Sequence, residues 1–265
     1  MFHKRYAIVG AGNIGSILVE RLFESGVYAS QIGVCDPNTE KTGLLTARFG
    51  VQAGTMDNPA IFCADVFLIS VGPVTVLEVV RQLAPYLHPG QLIISFAAAV
   101  PIAQIEALVP AGVAVARVMP NPPSMVGKGM NPVAYGQSVT VEAHALTEML
   151  LAKLGMSVEV RDDQMNWAVG LAGAAMRSVL PVLEGMTQAG IEAGLTEAMA
   201  RRVAAGILRG VAALALETDL RFDEIKKLTP MQTVDEAALA QIFVEAARSA
   251  KVKIDGLQKK VLEIS

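Results

Sequence analysis

The chain has 265 residues, of which 52% are hydrophobic and 18% charged, and its formal net charge at pH 7 is −3. This length and apolar content predict one large or two modest globular domains with a well-buried core. The small net charge, with basic residues scattered along the chain, argues against a nucleic-acid-binding protein. Cys35 and Cys63 stand in apolar sequence without metal-ligand or redox spacing. We therefore expect buried free thiols, no metal site and a cytoplasmic protein.

The N-terminal residues lead directly into an apolar strand, without the pattern of a cleavable signal sequence. No apolar stretch long enough to cross a bilayer is free of charge. We therefore expect a soluble protein with no membrane partner.

A glycine-rich turn follows the first predicted strand, whose sequence is Tyr6-Ala-Ile-Val9. In a dinucleotide-binding fold, Gly10 would permit the tight turn, Gly12 would let a pyrophosphate approach the backbone, and Gly15 would let the next helix pack closely. The helix predicted over residues 13–25 would direct its unpaired N–H groups at the phosphates. The predicted cofactor-binding residues of this turn are Gly10, Gly12, Asn13, Ile14 and Gly15.

An acidic residue, Asp36, ends the second apolar run and lies 21 residues after Gly15. A carboxylate at that distance is typical of a site that binds the ribose 2′-hydroxyl. Asp36 would repel a 2′-phosphate, so NAD(P)H is predicted with a preference for NADH. Asn38, Thr39 and Lys41 follow closely and leave NADPH open.

Short, continuous apolar runs then alternate with helical patterns, as in a sheet buried on both faces. Right-handed crossovers between such strands give a Rossmann-type, mainly parallel sheet in the α/β class. Strands are predicted over residues 66–70, 92–95, 113–118 and 157–160, and helices over residues 74–84, 102–108 and 141–154.

The pattern changes after residue 161, where two long apolar helices are predicted over residues 164–189 and 196–217. Glycines inside these helices indicate tight helix–helix contact. A monomer would leave large apolar patches on them exposed. We therefore predict a dinucleotide-binding domain over residues 1–161 and an all-helical dimerisation and substrate domain over residues 162–265, which forms a homodimer or a higher homo-oligomer.

Three further strand exits are predicted to gather at the ligand edge of the sheet. Val71, Gly72 and Pro73 follow one strand, Ala97 and Ala98 follow the next, and Asn121 lies among three prolines after the third. No nucleophile-plus-base pair accompanies them. Hydride transfer to a protonated imine suits such a site, because the substrate nitrogen already carries its proton.

These motifs resemble the pyrroline-5-carboxylate reductase family over nearly the whole chain. The resemblance is carried by the glycine turn, Asp57-Asn58, Val71-Gly-Pro73, Ile94-Ser-Phe-Ala-Ala-Ala-Val100, Arg117-Val-Met-Pro-Asn-Pro122 and Ala189-Gly-Ile-Glu-Ala-Gly-Leu195. It implies a reductase that converts 1-pyrroline-5-carboxylate to proline with NAD(P)H, with the substrate pocket in an interleaved helical dimerisation domain. It also adds Asn58 to the cofactor-binding residues.

The chain departs from the family's motifs at three places. It has Gly72 where the family has lysine, Ala172-Gly-Ala-Ala-Met-Arg-Ser178 for Ser-Gly-Ser-Gly-Pro-Ala-Tyr, and Thr229-Pro-Met-Gln-Thr-Val234 for Ser-Pro-Gly-Gly-Thr-Thr. The last loop holds the substrate carboxylate in the family, and its two glycines are replaced here.

Four residues are the catalytic candidates. Asn121 is predicted to orient substrate, and Glu217 aligns with an acid that the family places near the substrate amine. Thr233 is the threonine that the altered loop retains. Arg177 is new, and it could supply a bidentate carboxylate clamp or be an interface arginine.

Two alternatives stay open. The same two-domain plan serves β-hydroxyacid dehydrogenases and other imine reductases, so the substrate could be another imine or a keto compound. The altered loop is also compatible with a non-catalytic dinucleotide-binding regulatory protein.

Overall fold

The computed structural model describes residues 3–56, 59–229 and 231–264. Most helices and strands that the sequence predicts are present with bounds shifted by one or two residues. The strands are β1 Tyr6–Val9, β2 Ile32–Cys35, β3 Gln52–Gly54, β4 Val66–Ile69, β5 Leu92–Ser95, β6 Ala114–Val118, β7 Gly129–Tyr135 and β8 Gly155–Glu159. The helices are α1 Asn13–Glu24, α2 Thr39–Phe49, α3 Pro59–Phe62, α4 Val76–Leu83, α5 Ile102–Glu106, α6 Val141–Leu154, α7 Met165–Val169, α8 Ala175–Glu192, α9 Glu197–Glu217, α10 Phe222–Lys227 and α11 Glu236–Ile264.

The eight strands form one sheet in the order β3-β2-β1-β4-β5-β6-β7-β8. All neighbouring strands are parallel except β6 and β7. The chain leaves β1 toward β2 on one side and returns to β4 on the other, so the strand order reverses at β1. The predicted Rossmann-type, mainly parallel sheet is confirmed, and this reversal is where such sheets bind ligands.

Each face of the sheet carries its own apolar core. Alternate residues of β1 show the division, because Tyr6 and Ile8 pack on one face and Ala7 and Val9 on the other. Helices α1, α2 and α6 cover the first face, while α4, α5, α7 and the C-terminal part of α11 cover the second. Burial on both faces explains why these strands are continuous apolar runs in the sequence.

By packing, the chain divides into two units, Met1–Gly173 with Ser249–Ser265, and Ala174–Arg248. The long helix α11 belongs partly to each unit. The domain boundary predicted at residue 161 stays a prediction about how the chain divides.

The helix predicted over residues 164–189 is interrupted, so that prediction is wrong as a single element. It consists of α7, a π-helical segment Gly170–Ala174, and α8. The helix predicted over residues 196–217 is confirmed as α9, whose N-terminus is capped by Thr196 through a hydrogen bond from the Met199 N–H. Pro181 lies inside α8, where it removes one backbone donor from the helix.

Helices α8 and α9 pack against each other in the second unit. A Cβ built at Gly190 would lie 2.8 Å from the Ala200 Cβ, so glycine is required for this contact. A Cβ at Gly185, Gly206 or Gly210 would meet nothing within 4 Å in the described part of the chain. The tight contact expected at those three glycines is therefore not made within one subunit.

The helical run Asp162–Glu192 is long and apolar enough to cross a membrane by length and composition alone. Only 13% of its most apolar stretch is buried in this single chain. A helix that is covered by another protein surface has the same composition. The run therefore shows that an apolar face is exposed in the single chain, and does not show whether lipid or protein covers that face.

Candidate functional site

Glycine occupies positions 10, 12 and 15 of the first turn for three different structural reasons. Gly10 has φ +102, a left-handed value, and a Cβ there would lie 2.9 Å from the Ser70 backbone. A Cβ at Gly15 would lie 1.9 Å from the Gly10 carbonyl oxygen. A Cβ at Gly12, by contrast, would meet nothing within 4 Å among the described atoms. The fold therefore requires Gly10 and Gly15, whereas Gly12 keeps a space open beside the backbone.

Hydrogen bonds hold this turn against the neighbouring strands. The Gly10 N–H donates to the Cys35 carbonyl oxygen at 2.8 Å. The Ser70 hydroxyl donates to the carbonyl oxygens of Gly10 at 2.8 Å and Val9 at 3.2 Å. The turn is thus tied to the ends of β2 and β4 before any ligand binds.

Helix α1 begins immediately after Gly12 and presents an open N-terminus. None of the described side chains caps its first turn, and the turn contains no acidic residue. Free N–H groups and the positive end of the helix dipole favour an anion at this point. The open space at Gly12 and the uncapped helix end together suit a pyrophosphate.

The Asp36 carboxylate is fixed at the end of β2. Its Oδ2 accepts from the Ala11 N–H and its Oδ1 from the Asn38 N–H, each at 2.8 Å. The Asn38 side chain in turn caps α2 by accepting from the Glu40 and Lys41 N–H groups. Two backbone donors in the first turn of α2, those of Glu40 and Lys41, are therefore already used within the protein.

A cavity of about 580 Å³ opens at the carboxyl ends of β1 to β4, where the strand order reverses. Its volume is in the range of small-molecule sites. The lining residues are Val9, Gly10, Gly12, Cys35, Asp36, Pro37, Lys41, Thr55, Met56, Ser70, Val71, Gly72, Thr75, Glu78, Val79 and Gln82.

Five of the predicted cofactor residues line this cavity: Gly10, Gly12, Asp36, Val71 and Gly72. Six others do not: Asn13, Ile14, Gly15, Pro73, Ala97 and Ala98. Asn58 lies outside the described residues. The sequence did not reveal the wall formed by α4, which contributes Glu78, Val79 and Gln82, because no motif marks which face of that helix turns toward the cavity.

The Cys35 thiol lines the cavity and is buried, as the sequence predicted. Burial, together with the nearby Asp36 charge, raises the pKa of Cys35 to about 12. The thiol therefore stays protonated and unreactive at neutral pH. The prediction for Cys63 is wrong, because its side chain is exposed beyond the end of the short helix α3.

The strand exits next to the cavity are tightly constrained. Ala99, in the turn after β5, is fully buried and has φ +65, the one positive value among the described non-glycine residues. Such backbone costs about 1–3 kcal/mol and persists only where the surroundings enforce it. Ala97 is also buried, whereas Ala98 between them is partly exposed.

Asn121 follows β6 and is 8% exposed. Its Oδ1 accepts from the Met130 N–H at 3.0 Å, and its Nδ2 donates to the Ala172 carbonyl oxygen at 3.1 Å. Both ends of the amide are therefore bonded within the fold. A direct catalytic role for Asn121 stays a prediction.

The other three catalytic candidates lie in the second unit. Arg177 is on α8, Glu217 is the last residue of α9, and Thr233 lies between α10 and α11. All three side chains are exposed. Their roles stay predictions.

Two family models match the chain. Residues 5–99 match "NADP oxidoreductase coenzyme F420-dependent", and residues 162–250 match "Pyrroline-5-carboxylate reductase dimerisation". The first covers the glycine turn and Asp36. The second covers α7 to α10 and the first part of α11.

Sequence relatives match over most of the chain. A pyrroline-5-carboxylate reductase from Pseudomonas aeruginosa is 30% identical over 89% of this chain and 87% of its own length. One from Corynebacterium melassecola is 28% identical over 96% of this chain and 98% of its own length.

Solved structures share the fold. A pyrroline-5-carboxylate reductase from Coxiella burnetii superposes with a TM-score of 0.82 at 22% identity, covering 96% of this chain and 98% of that one. The Plasmodium falciparum enzyme with NADP bound gives 0.82 at 18% identity, covering 97% and 99%. The solved structures confirm the fold, and the sequence relatives confirm the resemblance inferred from the motifs. The chain belongs to the pyrroline-5-carboxylate reductase family.

Proposed function

We propose that this protein is an NAD(P)H-dependent oxidoreductase that transfers hydride to the C=N bond of a cyclic imine, 1-pyrroline-5-carboxylate or a close relative, giving proline or its analogue. The observation that carries the proposal is the cavity at the strand reversal, where the open space at Gly12, the uncapped N-terminus of α1 and the fixed Asp36 carboxylate converge. The family membership adds the class of substrate.

The residues present suit a dinucleotide. The N–H groups at the start of α1 would hold the pyrophosphate beside Gly12, and the Asp36 carboxylate would accept from a ribose hydroxyl. When bound, the cofactor supplies the hydride. The task of the protein is to align the imine carbon and exclude water.

A functional assay tests this proposal directly. Purified protein is mixed with NADH or NADPH and a panel of cyclic imines, and loss of the reduced cofactor's absorbance is followed; proline is then tested in reverse at high pH. Turnover of pyrroline-5-carboxylate supports the proposal. Cofactor binding without turnover of any imine or keto acid would contradict it and favour the non-catalytic alternative.

One observation favours that alternative. Met231 and Gln232 occupy positions where the family's carboxylate-binding loop has two glycines, and the Met231 side chain is 77% exposed. A side chain at either position restricts the backbone shapes that the loop can adopt. The second candidate function is therefore dinucleotide binding without catalysis.

The catalytic roles proposed in the second unit follow from the family alignment. Arg177 would clamp the substrate carboxylate in place of the altered loop, Glu217 would stabilise the positive charge of the iminium, and Thr233 would retain the loop's hydroxyl. Each side chain is exposed and available to a ligand in the single chain.

We further propose NADH as the preferred cofactor. Asp36 is held in place by two backbone N–H groups, and Glu78 adds a second carboxylate to the cavity wall. The Glu40 and Lys41 N–H groups in the first turn of α2 donate to the Asn38 side chain, so these two are already used and not offered to a 2′-phosphate. Lys41 is the one cation among the described lining residues.

Replacing Asp36 with serine should shift the ratio of NADPH to NADH affinity toward NADPH by at least about tenfold, or about 1.4 kcal/mol. The change removes the charge that repels a 2′-phosphate. Cofactor fluorescence titration gives both Kd values. Glu40→Ser is the matched control, because Glu40 is exposed in the first turn of α2 and does not line the cavity. An unchanged ratio in Asp36→Ser would contradict the NADH preference.

The protein is proposed to work as a homodimer or higher homo-oligomer through its helical part. Helix α9 carries an exposed apolar stripe at four-residue spacing, formed by Met199, Val203, Ile207 and Val211, each about half exposed. A stripe of this kind covers one face of a helix and is costly to leave in water. The match to a dimerisation domain covers the same helix.

Replacing Ile207 with glutamate should convert the oligomer to monomers, because the charge would be buried without a partner. Size-exclusion chromatography with light scattering measures the mass. Val141→Glu is the control, since Val141 is 82% exposed and lies in the first unit. An Ile207→Glu protein that keeps its oligomeric mass would show that this face is not the interface.

A cytoplasmic location without nucleic-acid or membrane partners belongs to the same proposal. The net charge of −3 supports the exclusion of nucleic-acid partners. For the exclusion of membrane partners, we infer that the apolar run Asp162–Glu192 is covered by the partner subunit rather than by lipid.

A further inference from the structure

Asn121 uses both ends of its side-chain amide for hydrogen bonds within the fold. Its side chain is buried, and its oxygen and its nitrogen each bond a backbone group, at Met130 in β7 and at Ala172. The residues on both sides are prolines, Pro120 and Pro122, which fix the backbone of the exit from β6. The amide thus joins a rigid strand exit to a segment 51 residues further along the chain.

The segment that Asn121 bonds is the π-helical turn Gly170–Ala174. This geometry is rare and is frequently found at functional sites. The Asn121 Nδ2–H group is a donor from outside the helix that bonds the Ala172 carbonyl within this turn. Arg177, the proposed carboxylate clamp, follows Ala172 by five residues in the same helical run.

We propose that Asn121 is a positioning residue: its Nδ2–H group holds the Ala172 carbonyl and thereby fixes the π-helical turn that leads into α8, without contacting substrate or cofactor. The effect of this positioning on catalysis rests on the proposed function. Its effect on the order of the π-helical turn does not depend on that function. The positioning role is an alternative to the substrate-orienting contact that the sequence predicted for the same amide.

The test uses Asn121→Asp, which keeps the size of the side chain and the oxygen that accepts from the Met130 N–H. It replaces the donor to Ala172 with an acceptor, so that two oxygens face each other. Asn131→Asp is the matched control. Asn131 is fully buried, its Oδ1 accepts from the Ser124 hydroxyl, and its Nδ2 donates to the Met156 carbonyl oxygen at 2.9 Å. Among the described residues, its side chain bonds Ser124 and Met156 and not the π-helical turn.

The first readout is amide hydrogen exchange over residues 165–180 in the protein without ligands. Exchange there should rise in Asn121→Asp and stay at the wild-type rate in Asn131→Asp, after both are compared at equal free energy of unfolding. Unchanged exchange in Asn121→Asp would overturn the inference, whether or not the protein reduces imines.

The second readout is kinetic. On any imine that the wild type reduces, Asn121→Asp should lose about 10- to 100-fold in kcat/KM, since small displacements of catalytic groups have effects of that size. The Kd for NADH should be unchanged, because Asn121 does not line the cavity. A raised Kd for NADH, or an equal loss of kcat/KM in Asn131→Asp, would contradict the positioning role. Absence of turnover in the wild type would contradict the proposed function alone.

Discussion

Replacing Gly12 with alanine should raise the Kd for NADH by about 10- to 100-fold, or about 1.4 to 2.8 kcal/mol, and leave the fold intact. Gly12 has φ −75 and ψ −166, which alanine adopts without strain. The added methyl group would meet nothing within 4 Å among the described atoms, apart from its own chain neighbours. It would instead occupy the space through which a pyrophosphate approaches the first N–H groups of α1. Fluorescence titration measures the Kd, and urea denaturation measures the free energy of unfolding.

Two other glycines provide the comparison for this variant. Gly43→Ala makes the same change in α2, also into open space, but away from the cavity. It should leave the Kd unchanged and stabilise the fold by up to about 1 kcal/mol. Gly15→Ala should destabilise the fold by about 1–3 kcal/mol, because its Cβ would collide with the Gly10 carbonyl oxygen. If Gly12→Ala binds NADH as tightly as Gly43→Ala does, the dinucleotide does not approach at this turn.

The sequence predicted the part of the fold that depends on local patterns. The buried strands are continuous apolar runs, and the helix over residues 141–154 was predicted with its observed bounds, α6 Val141–Leu154. Strand β7 was not predicted, because Asn131 and Pro132 interrupt its apolar pattern. The π-helical turn Gly170–Ala174 has no sequence signature, so its residues were predicted as ordinary α-helix.

The residues of the candidate site likewise divide into those that local sequence patterns predicted and those that they did not. Gly10, Gly12 and Asp36 follow from spacing along one strand–turn–helix unit, and all three line the cavity. The wall from α4 and the bond between Asn121 and Ala172 depend on elements distant in sequence. A pattern within a single sequence carries no information about such pairs, so the use of the Asn121 amide could only be seen in three dimensions.

The second large effect, on the stability of the fold, is expected at a buried ion pair between β6 and the residues that follow β8. The Arg117 guanidinium is fully buried in β6 and pairs with Asp162, with 2.9 Å between Nη1 and Oδ1. Burial lowers the pKa of Arg117 from its ordinary value, and the adjacent Asp162 carboxylate opposes that shift. The Arg117 Nε has no hydrogen-bond partner among the described atoms. The charge of this arginine therefore depends on one carboxylate for compensation.

Asp162→Asn should lower the free energy of unfolding by about 3 kcal/mol, the lower end of the range for a buried charge that loses its partner. The lower end applies because the Asp162 side chain is itself 27% exposed. Both of its oxygens accept hydrogen bonds, from Arg117 and from the Ile102 N–H. An amide has one acceptor oxygen, so one of these two donors would face an N–H group instead. Urea denaturation at pH 7 measures the difference.

The neighbouring residue provides a control of the same chemistry. Asp163 pairs with Arg161 at 3.0 Å, but both side chains are 70% exposed. Exposed pairs contribute about 0–1 kcal/mol, so Asp163→Asn should change stability by less than about 1 kcal/mol. Equal effects of the two substitutions would mean that Arg117 finds compensation elsewhere. A larger loss of stability in Asp162→Asn would instead show that the buried guanidinium needs this carboxylate. The Arg117 Nη2 also donates to Asn166. Asn166 in turn bonds Asp255 and Gln258 of α11, so the loss would extend to the contact between α7 and α11.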